Sequence, residues 1–274
     1  NDGIWTEVTS GQRPVVTATS WTVPSGWLSW NKEYNVYVKC ADSAGNWGGN
    51  AAARNFTTYD GTAPSQPGTP DLLAADDTGV LGDRKTKKDQ NIRFAWTASS
   101  DAESGVSKYQ VKVDGVVGYA DWTDVGSSPS VTLTVNGGVT PLSDGTYTIR
   151  VRAVNACNLA STERNTTFTV DKTALPGIQP TAPSGNTSTL TPTVTWTGNG
   201  ATKYEIEVWT ALPDIPSEVS AGRRAQVTTT SWAIPSGWLV WNKNYDIYIK
   251  CLDDADNWGG NAAARNFTTY DGTA

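Results

Sequence analysis

The chain begins and ends with nearly the same segment. Residues 17–63 recur at 228–274 with an offset of 211, and 36 of those 47 positions are identical. Self-similarity at a fixed spacing is typical of proteins built from repeated modules. The full length of 274 residues is enough for two to three domains of ~100 residues each. We therefore predict near-copies of one module at the two ends and a different module between them.

The apolar pattern of each module predicts short β-strands. Residues 34–40 alternate between inward-facing apolar and mainly polar side chains, which is typical of a strand with one buried face. The same alternation occurs at 147–153 and 245–251. Since no helical periodicity exceeds two turns, the pattern favours an all-β sandwich. Further strands are predicted at 91–97, 108–113, 130–135, 193–197 and 203–209.

Two proline-containing linkers separate the predicted modules. The linkers, residues 60–64 and 171–176, share the pattern Asp-X-Thr-Ala followed by proline. Proline fixes φ and stiffens such a segment, which favours an extended array over loosely tethered modules. The predicted modules are 1–63, 64–173 and 174–274, called the first, middle and last modules below.

The first module lacks the opening strands of a sandwich, so it is only the C-terminal part of a module. Aligned on the last module, it has no counterpart of residues 180–205, which include Trp196 and Tyr204. Exposing several hundred Å² of apolar face would cost on the order of 10 kcal/mol. Two explanations stay open: the polypeptide continues upstream, or a neighbouring chain supplies the strands.

A leucine followed by a tyrosine five or six residues later occurs in every module. These pairs precede the alternating strands, and in the two later modules a tryptophan of an early strand is followed by a tyrosine of the next. The pattern resembles bacterial fibronectin type III and related Ig-like repeats over the whole chain. The resemblance implies tandem Ig-like β-sandwiches, although such modules serve many roles. The residues that carry it are Leu28, Tyr34, Leu142, Tyr147, Leu239, Tyr245, Trp96, Tyr109, Trp196 and Tyr204.

Composition argues against several classes of function. The chain has no histidine, which removes the commonest general base and metal ligand. Cys40, Cys157 and Cys251 lie far apart, one per module, which favours buried free thiols, or else an intermolecular bridge, over an intradomain disulfide.

The sequence also argues against a membrane span and a hydrolase site. No apolar run approaches the ~18 residues of a membrane span. No pair of carboxylates stands in an apolar context, as a glycosidase would need, so we predict that the segment is not an enzyme.

The charge pattern argues against nucleic acid as a partner. The formal net charge is −6, whereas nucleic-acid binding usually requires a basic patch. One basic cluster occurs, and because aspartates flank it we interpret it as a solvated loop. The cluster contains Arg84, Lys85, Lys87 and Lys88.

Tryptophan is unusually frequent, with 13 residues. Four occupy strand positions where we expect them in the core: Trp21, Trp96, Trp196 and Trp232. Others lie beside turns, where they either cap their own sandwich, dock a neighbouring module or chain, or stack on a sugar ring. These packing or interface candidates are Trp27, Trp30, Trp47, Trp238, Trp241 and Trp258.

Acidic loops and sequons supply the remaining candidate sites. No cofactor is required by the sequence, but carboxylates in loops and at linkers make Ca²⁺ possible, the alternative being solvated turn residues. Four Asn-X-Ser/Thr sequons are candidate glycosylation sites. The calcium candidates are Asp42, Asp60, Asp171, Asp253, Asp254 and Asp256, and the sequons begin at Asn55, Asn165, Asn186 and Asn266.

Two functions remain open at this level. One is a structural repeat of an extracellular fibre, stalk or giant surface adhesin, which acts by mechanical spacing and associates with other copies of the same repeat. The other is a set of non-catalytic spacer or carbohydrate-binding modules of a secreted polysaccharide-degrading enzyme. Both place the segment outside the cell, with glycans as possible partners.

Overall fold

The described part of the chain is built from β-strands and loops. The computed structural model describes residues 13–134, 141–210 and 223–273. Eighteen strands and no helix occur in these ranges, so the all-β prediction is confirmed. Accordingly, nothing in the described residues forms a helix long and apolar enough to cross a membrane.

The middle module is a sandwich of a three-stranded and a five-stranded sheet. The order in the small sheet is β3-β5-β8, and in the large sheet it is β4-β10-β9-β6-β7. Neighbouring strands are antiparallel except for β4 and β10, which run parallel. The strands are β3 (Asp71–Leu72), β4 (Lys85–Thr86), β5 (Ile92–Ala95), β6 (Val106–Val113), β7 (Thr123–Gly126), β8 (Ser130–Leu133), β9 (Gly145–Asn155) and β10 (Arg164–Val170).

The last module repeats this architecture. Its small sheet has the order β11-β13-β16, and its large sheet has the order β12-β18-β17-β14-β15. Here too a short strand, β12, pairs parallel with the final strand, β18. The strands are β11 (Pro180–Ala182), β12 (Gly185–Thr187), β13 (Thr193–Trp196), β14 (Lys203–Thr210), β15 (Arg224–Val227), β16 (Ser231–Ala233), β17 (Lys243–Leu252) and β18 (Arg265–Thr269).

Each of these two modules has its own apolar core between its sheets. In the middle module, alternate residues of β6 and β9 face inward, such as Val111 and Val151, which are fully buried and lie opposite each other. In the last module Ile206 and Ile249 do the same. Burying one such side chain stabilises a fold by ~1.5–3 kcal/mol, so the alternating pattern provides much of the driving force. The module boundaries themselves stay predictions.

The predicted strands of the two later modules agree with the structure to within two residues at each end. Residue 135, the end of the predicted strand 130–135, lies outside the described residues. The Trp–Tyr pairs that carried the resemblance meet edge-on in each core, with ring centroids 5.4 Å apart for Trp96 and Tyr109 and 5.3 Å for Trp196 and Tyr204.

The first module differs from its near-copy. It contains two described strands, β1 (Glu33–Val36) and β2 (Arg54–Thr57), which pair antiparallel with each other. The predicted strand over 34–40 was therefore too long. The equivalent strand β17 pairs with β18 on one side and with β14 on the other, whereas β1 pairs with β2 alone among the described strands. Because no equivalent of β14 lies beside it, the chain after Val36 has no described strand with which to pair. Val38 is 67% exposed as a result.

Burial also corrects two expectations about individual side chains. Of the three free cysteines only Cys251 is buried; Cys157 is half-buried and Cys40 is exposed. Trp96 and Trp196 are buried and Trp232 is half-buried, but Trp21 is exposed. Cys40 and Trp21 both belong to the first module, where the described residues provide no second sheet to cover them.

Candidate functional site: the two module joints

The linker after the first module is tied to the middle module by a buried aspartate. Asp60, which follows β2, is only 1% exposed. Its carboxylate accepts a 3.0 Å hydrogen bond from the side-chain amide of Asn155, at the end of β9, and another of 3.0 Å from the backbone amide of Thr62. The Asn155 amide also donates to the carbonyl oxygen of Thr62 at 3.1 Å. We call this contact region the first joint.

A loop of the middle module completes the first joint. The indole nitrogen of Trp30 donates to the carbonyl oxygen of Glu103, and the Thr62 hydroxyl donates to a Glu103 carboxylate oxygen at 3.2 Å. Asp101 shapes this loop because its carboxylate accepts the backbone amides of Glu103, Ser104 and Gly105 at 2.8–3.2 Å. Burial of that carboxylate raises its pKa, but bonds from Gly105 and Asn155 outweigh burial and leave the pKa below its usual value.

Three carboxylates converge at the first joint. Asp60, Asp101 and Glu103 each offer an oxygen within 4.8 Å of the others. Calcium takes six to eight oxygen ligands, and carboxylates with loop carbonyls are the groups it prefers. The structure thus brings one predicted calcium residue, Asp60, next to two that the sequence did not suggest. Calcium at this joint stays a prediction. In the sequence, the signal for Asp101 and Glu103 is only that two acidic residues lie close together just before β6. Nothing in the sequence connects them with Asp60, about 40 positions earlier.

Among the described residues, the other predicted calcium ligands do not bring three acidic side chains within ligand distance of one another. Asp253 accepts the backbone amides of Ala255 and Asn257 at 3.0 and 2.8 Å, and so holds its own loop. Asp42 does the same in the first module, where bonds from Asn46 lower its pKa. Asp171 accepts the amide of Thr173 in the linker at 3.1 Å. Each of these carboxylates accepts backbone amides of its own turn, although Asp253 is buried and not solvated as the alternative supposed; calcium binding at these residues stays a prediction.

Asp254 and Asp256 instead form ion pairs with the middle module. Lys85 binds the carboxylate of Asp254, and this contact raises the pKa of the lysine. The ammonium of Lys87 lies 2.6 Å from a carboxylate oxygen of Asp256 and 2.9 Å from its carbonyl oxygen. We call this region the second joint. The interpretation of the basic cluster as a solvated loop was therefore wrong for these two lysines.

Backbone contacts make the second joint a close fit. The Thr78 hydroxyl donates to the carbonyl oxygen of Ala255 at 2.6 Å, and the Val80 amide donates to that of Asp254 at 3.1 Å. Gly79 lies between them with φ +80°, a conformation that L side chains rarely adopt. A Cβ there would lie 2.7 Å from the carbonyl carbon of Asp254, so the two backbones can approach this closely only at a glycine.

The remaining cations of the basic cluster hold its loop to the middle module. Lys88 and Arg93 bind the fully buried carboxylate of Asp76 at 2.6 and 2.9 Å. Burial alone would raise the pKa of Asp76, but the bonds from Arg93 and Lys88 outweigh it and lower the pKa to about 2. Arg84 binds Asp71 at 2.6 Å. Lys88 and Arg84 thus face their own module, while Lys85 and Lys87 face the next one.

The turn tryptophans separate into several environments. Trp27 packs on Trp21 at 5.5 Å between ring centroids and Trp238 packs on Trp232 at 5.3 Å, so both face a tryptophan of their own module. Trp30 contacts the middle module at the first joint. Trp47 lies under the ammonium of Lys39 at 5.6 Å. The exposed rings are Trp30, Trp47, Trp241 and Trp258, whose packing or glycan roles stay predictions.

The four sequon asparagines lie on strands. Asn55, Asn165, Asn186 and Asn266 are all exposed, on β2, β10, β12 and β18. The Asn266 amide also binds the carboxylate of Asp246 on the neighbouring strand. Glycosylation at these positions stays a prediction.

A cleft at the open edge of the middle module has a volume of about 430 Å³. The residues that line it include one carboxylate, Asp124. That carboxylate is bound by Lys108 and Gln110, both at 2.7 Å, which lowers its pKa. Glycoside hydrolysis requires two carboxyl groups, one of them with a raised pKa, so this cleft lacks the arrangement for it.

The strand order and a tyrosine hydrogen bond decide the fold of the two later modules. Each has three strands in one sheet and, in the other, four antiparallel strands plus a short parallel edge strand. In each, a tyrosine near the start of the longest strand binds backbone a few residues upstream: Tyr147 donates to Ser143 at 2.9 Å, and Tyr245 accepts from Val240 at 2.9 Å. Both are fibronectin type III-like sandwiches.

Comparisons with known proteins give one sequence relative of note. Chitinase A1 of Niallia circulans is 31% identical over an alignment of 210 positions, and the alignment covers 72% of this chain and 25% of the chitinase. The chain thus spans about a quarter of the length of that relative. No family model matches the sequence.

Solved structures with fibronectin type III modules align along the chain. The FN1-FN3 domains of chicken CNTN1 align with 88% of this chain and 78% of their own, at 19% identity and a TM-score of 0.36. Fibronectin(III)-like modules of Clostridium thermocellum CbhA align with 73% of this chain and 94% of theirs, at 14% identity and a TM-score of 0.36. The strand order within each of the two later modules is what defines their fibronectin type III-like fold.

Proposed function

We propose that this chain is a non-catalytic spacer segment of a secreted polysaccharide-degrading enzyme. The observation that carries the proposal is the 31% identity to Chitinase A1 over 210 residues, a span longer than either complete module. An enzyme that acts on an insoluble polymer benefits when a spacer separates its catalytic domain from the rest of the polypeptide. Fibronectin type III-like sandwiches with the two joints described above are suited to that task.

The joints support the spacer role because they limit how the modules can move. A linker rich in glycine and serine behaves as a random coil, and the distance that it spans fluctuates widely. Here the linker aspartate Asp60 is buried and bonded to Asn155, and Lys87 bonds to Asp256 across the second joint. Contacts of this kind hold neighbouring modules at a fixed spacing.

The test uses the native protein. An antibody raised against residues 64–173 would capture the polypeptide from the culture medium of the source organism. The captured material would be assayed for hydrolysis of chitin and cellulose, and its denatured mass would be measured. We expect a polypeptide much heavier than 29.2 kDa that hydrolyses at least one of these polymers. The same chain produced alone should hydrolyse neither.

A native polypeptide without hydrolase activity would overturn the proposal. If in addition its mass fits a whole number of 211-residue units, the alternative function is favoured. A pull-down of residues 1–274 on insoluble chitin distinguishes a spacer role from a glycan-binding role. A segment that acts only as a spacer stays in the supernatant. Retention that is lost when Trp241 and Trp258 are both replaced by alanine would assign glycan binding to those rings.

The alternative function is a fibre, stalk or surface adhesin built from many repeats. The observation that favours it is that the far end of the last module repeats the docking residues of the first joint. At the offset of 211, Trp241, Asp271 and Thr273 correspond to Trp30, Asp60 and Thr62. Further middle-type modules could therefore dock there through the same contacts, which would give a long array outside the cell.

A further inference from the structure

One face of the first module is apolar and uncovered among the described residues. Val36 and Phe56 on β1 and β2 are both 37% exposed. Their equivalents at the offset of 211, Ile247 and Phe267, are 0% and 2% exposed. Cys40 is likewise exposed, whereas its equivalent, Cys251, is fully buried. Nearly identical sequences therefore differ in burial, so the difference arises from what covers them.

The last module shows what kind of segment fits this face. Strand β14 pairs with β17 and places Ile206 opposite Ile249 and Val208 opposite Ile247. The second sheet adds Val194 and Trp196, which belong to the same buried cluster. All these covering residues lie between positions 174 and 211. The first module has no equivalent of this segment within residues 1–274.

One glycine of the first module, Gly48, keeps space for the same segment. In the last module, a Cβ on Gly259 would collide with the carbonyl oxygen of Leu175, so glycine there lets the entering chain approach. Its equivalent, Gly48, would meet atoms of Cys40 alone, the nearest at 3.5 Å. In the last module, the backbone of Leu175 approaches so closely that position 259 requires a glycine. The first module has the equivalent glycine, Gly48, but no described segment approaches it in the same way.

We propose that the exposed face of the first module receives a copy of the segment 174–211, carried on the same polypeptide ahead of residue 1. The offset of 211 fixes the register: residue 211 of the copy would directly precede residue 1, which corresponds to residue 212. Covalent connection is favoured over donation from a second chain. A second chain would have to withdraw Ile206 and Val208 from its own core, where both are fully buried.

The test adds the missing segment and follows the thiol of Cys40. In an extended variant, a second copy of residues 174–211 is fused ahead of Asn1. Alkylation by iodoacetamide is then measured residue by residue with peptide mass spectrometry, and Cys157 and Cys251 serve as internal references. We expect the alkylation rate of Cys40 to fall at least about tenfold, towards that of Cys251. Amide hydrogen exchange of residues 34–40 should slow in parallel.

A matched control carries the same extension with Ile206→Asp and Val208→Asp in the added copy only. Its Cys40 should stay as reactive as in the chain without extension, because the charged strand cannot enter a core. The proposal is overturned if the unmodified extension leaves Cys40 reactive and residues 34–40 unprotected. It is also overturned if the chain without extension forms a dimer in sedimentation whose Cys40 is already protected, because two first modules would then cover each other.

Discussion

The ammonium group of Lys87 lies 2.6 Å from a carboxylate oxygen of Asp256, and the two residues belong to different modules. Lys85 binds Asp254 beside them. At the offset of 211, the first module has Ser43 and Gly45 in place of these two aspartates. The rest of that loop is closely similar, including the turn-forming Asp42. The carboxylates that bind the middle module are thus specific to the last module's loop.

Replacing Asp254 by serine and Asp256 by glycine should loosen the second joint without unfolding either module. Each partly exposed ion pair contributes ~0.2–1 kcal/mol, so the loss shifts a docking equilibrium. Residual dipolar couplings of the middle and last modules should fit one alignment tensor in the native chain and two in the variant. High salt, which screens the two ion pairs, should likewise make the two modules of the native chain align independently. Asp121→Ser, on an exposed loop, is the control; a single tensor in the double variant would contradict the prediction.

Replacing Gly79 by alanine should also open the second joint. The new Cβ would lie 2.8 Å from the backbone nitrogen of Asp256, which the closely packed loop cannot accommodate. Gly82→Ala is a matched control, because Gly82 also has a positive φ but no atom within 4 Å of its Cβ position. Both variants should lose ~1 kcal/mol of stability from backbone strain. Only Gly79→Ala should change the relative alignment of the modules, and equal effects of the two would refute the explanation.

The ion pairs of Asp76 should make the middle module sensitive to acid. Its pKa of about 2 lies below the usual value of 3.8, so it contributes stability above pH ~4 that is lost as the pH falls towards 2. The shift corresponds to about 2 kcal/mol. In urea unfolding, Asp76→Asn should cost at least that much at pH 7, and the difference from the native chain should shrink near pH 2. A difference that does not change with pH would show that lost packing, not charge, is responsible.

Replacing Tyr245 by phenylalanine should destabilise the last module. The hydroxyl accepts the backbone amide of Val240 at 2.9 Å, and the tyrosine is only 1% exposed. Its removal leaves that amide without its partner, at a cost of ~1–3 kcal/mol. Tyr270→Phe, at an exposed position, is the control for loss of a hydroxyl. Thermal unfolding followed by tryptophan fluorescence measures both, and equal midpoints would argue against a stabilising role of this hydrogen bond.

The sequence predicted the strands of the two later modules, and the placement of Trp96 and Tyr109 on successive strands, because those features follow from local patterns. A period of two along a strand fixes which side chains face inward, and the turn residues fix where each strand stops. Such patterns extend over only a few residues. They therefore predict where a strand lies in the sequence, but not which other segment of the chain packs against it.

The joints could not be predicted because their partners are far apart in sequence. Lys85 and Asp254 are separated by 169 positions, and each looks like a solvated loop residue on its own. Asp60 and Glu103 likewise meet only once two modules are folded and docked. The segment RNFTT shows the same limit: it is identical at 54–58 and 265–269, yet Phe56 is exposed and Phe267 is buried. Burial there depends on the neighbouring strands and not on the local sequence.

Both sides of the second joint lie within one 211-residue period. A gene duplication that copies residues 64–274 as a block hands down the lysines together with their matching aspartates. Copying the middle module alone would place its lysines beside a loop other than the one that holds Asp254 and Asp256. The first module shows that the carboxylates are not kept in every copy: a middle-type module ahead of it would face Ser43 and Gly45 and would form neither ion pair.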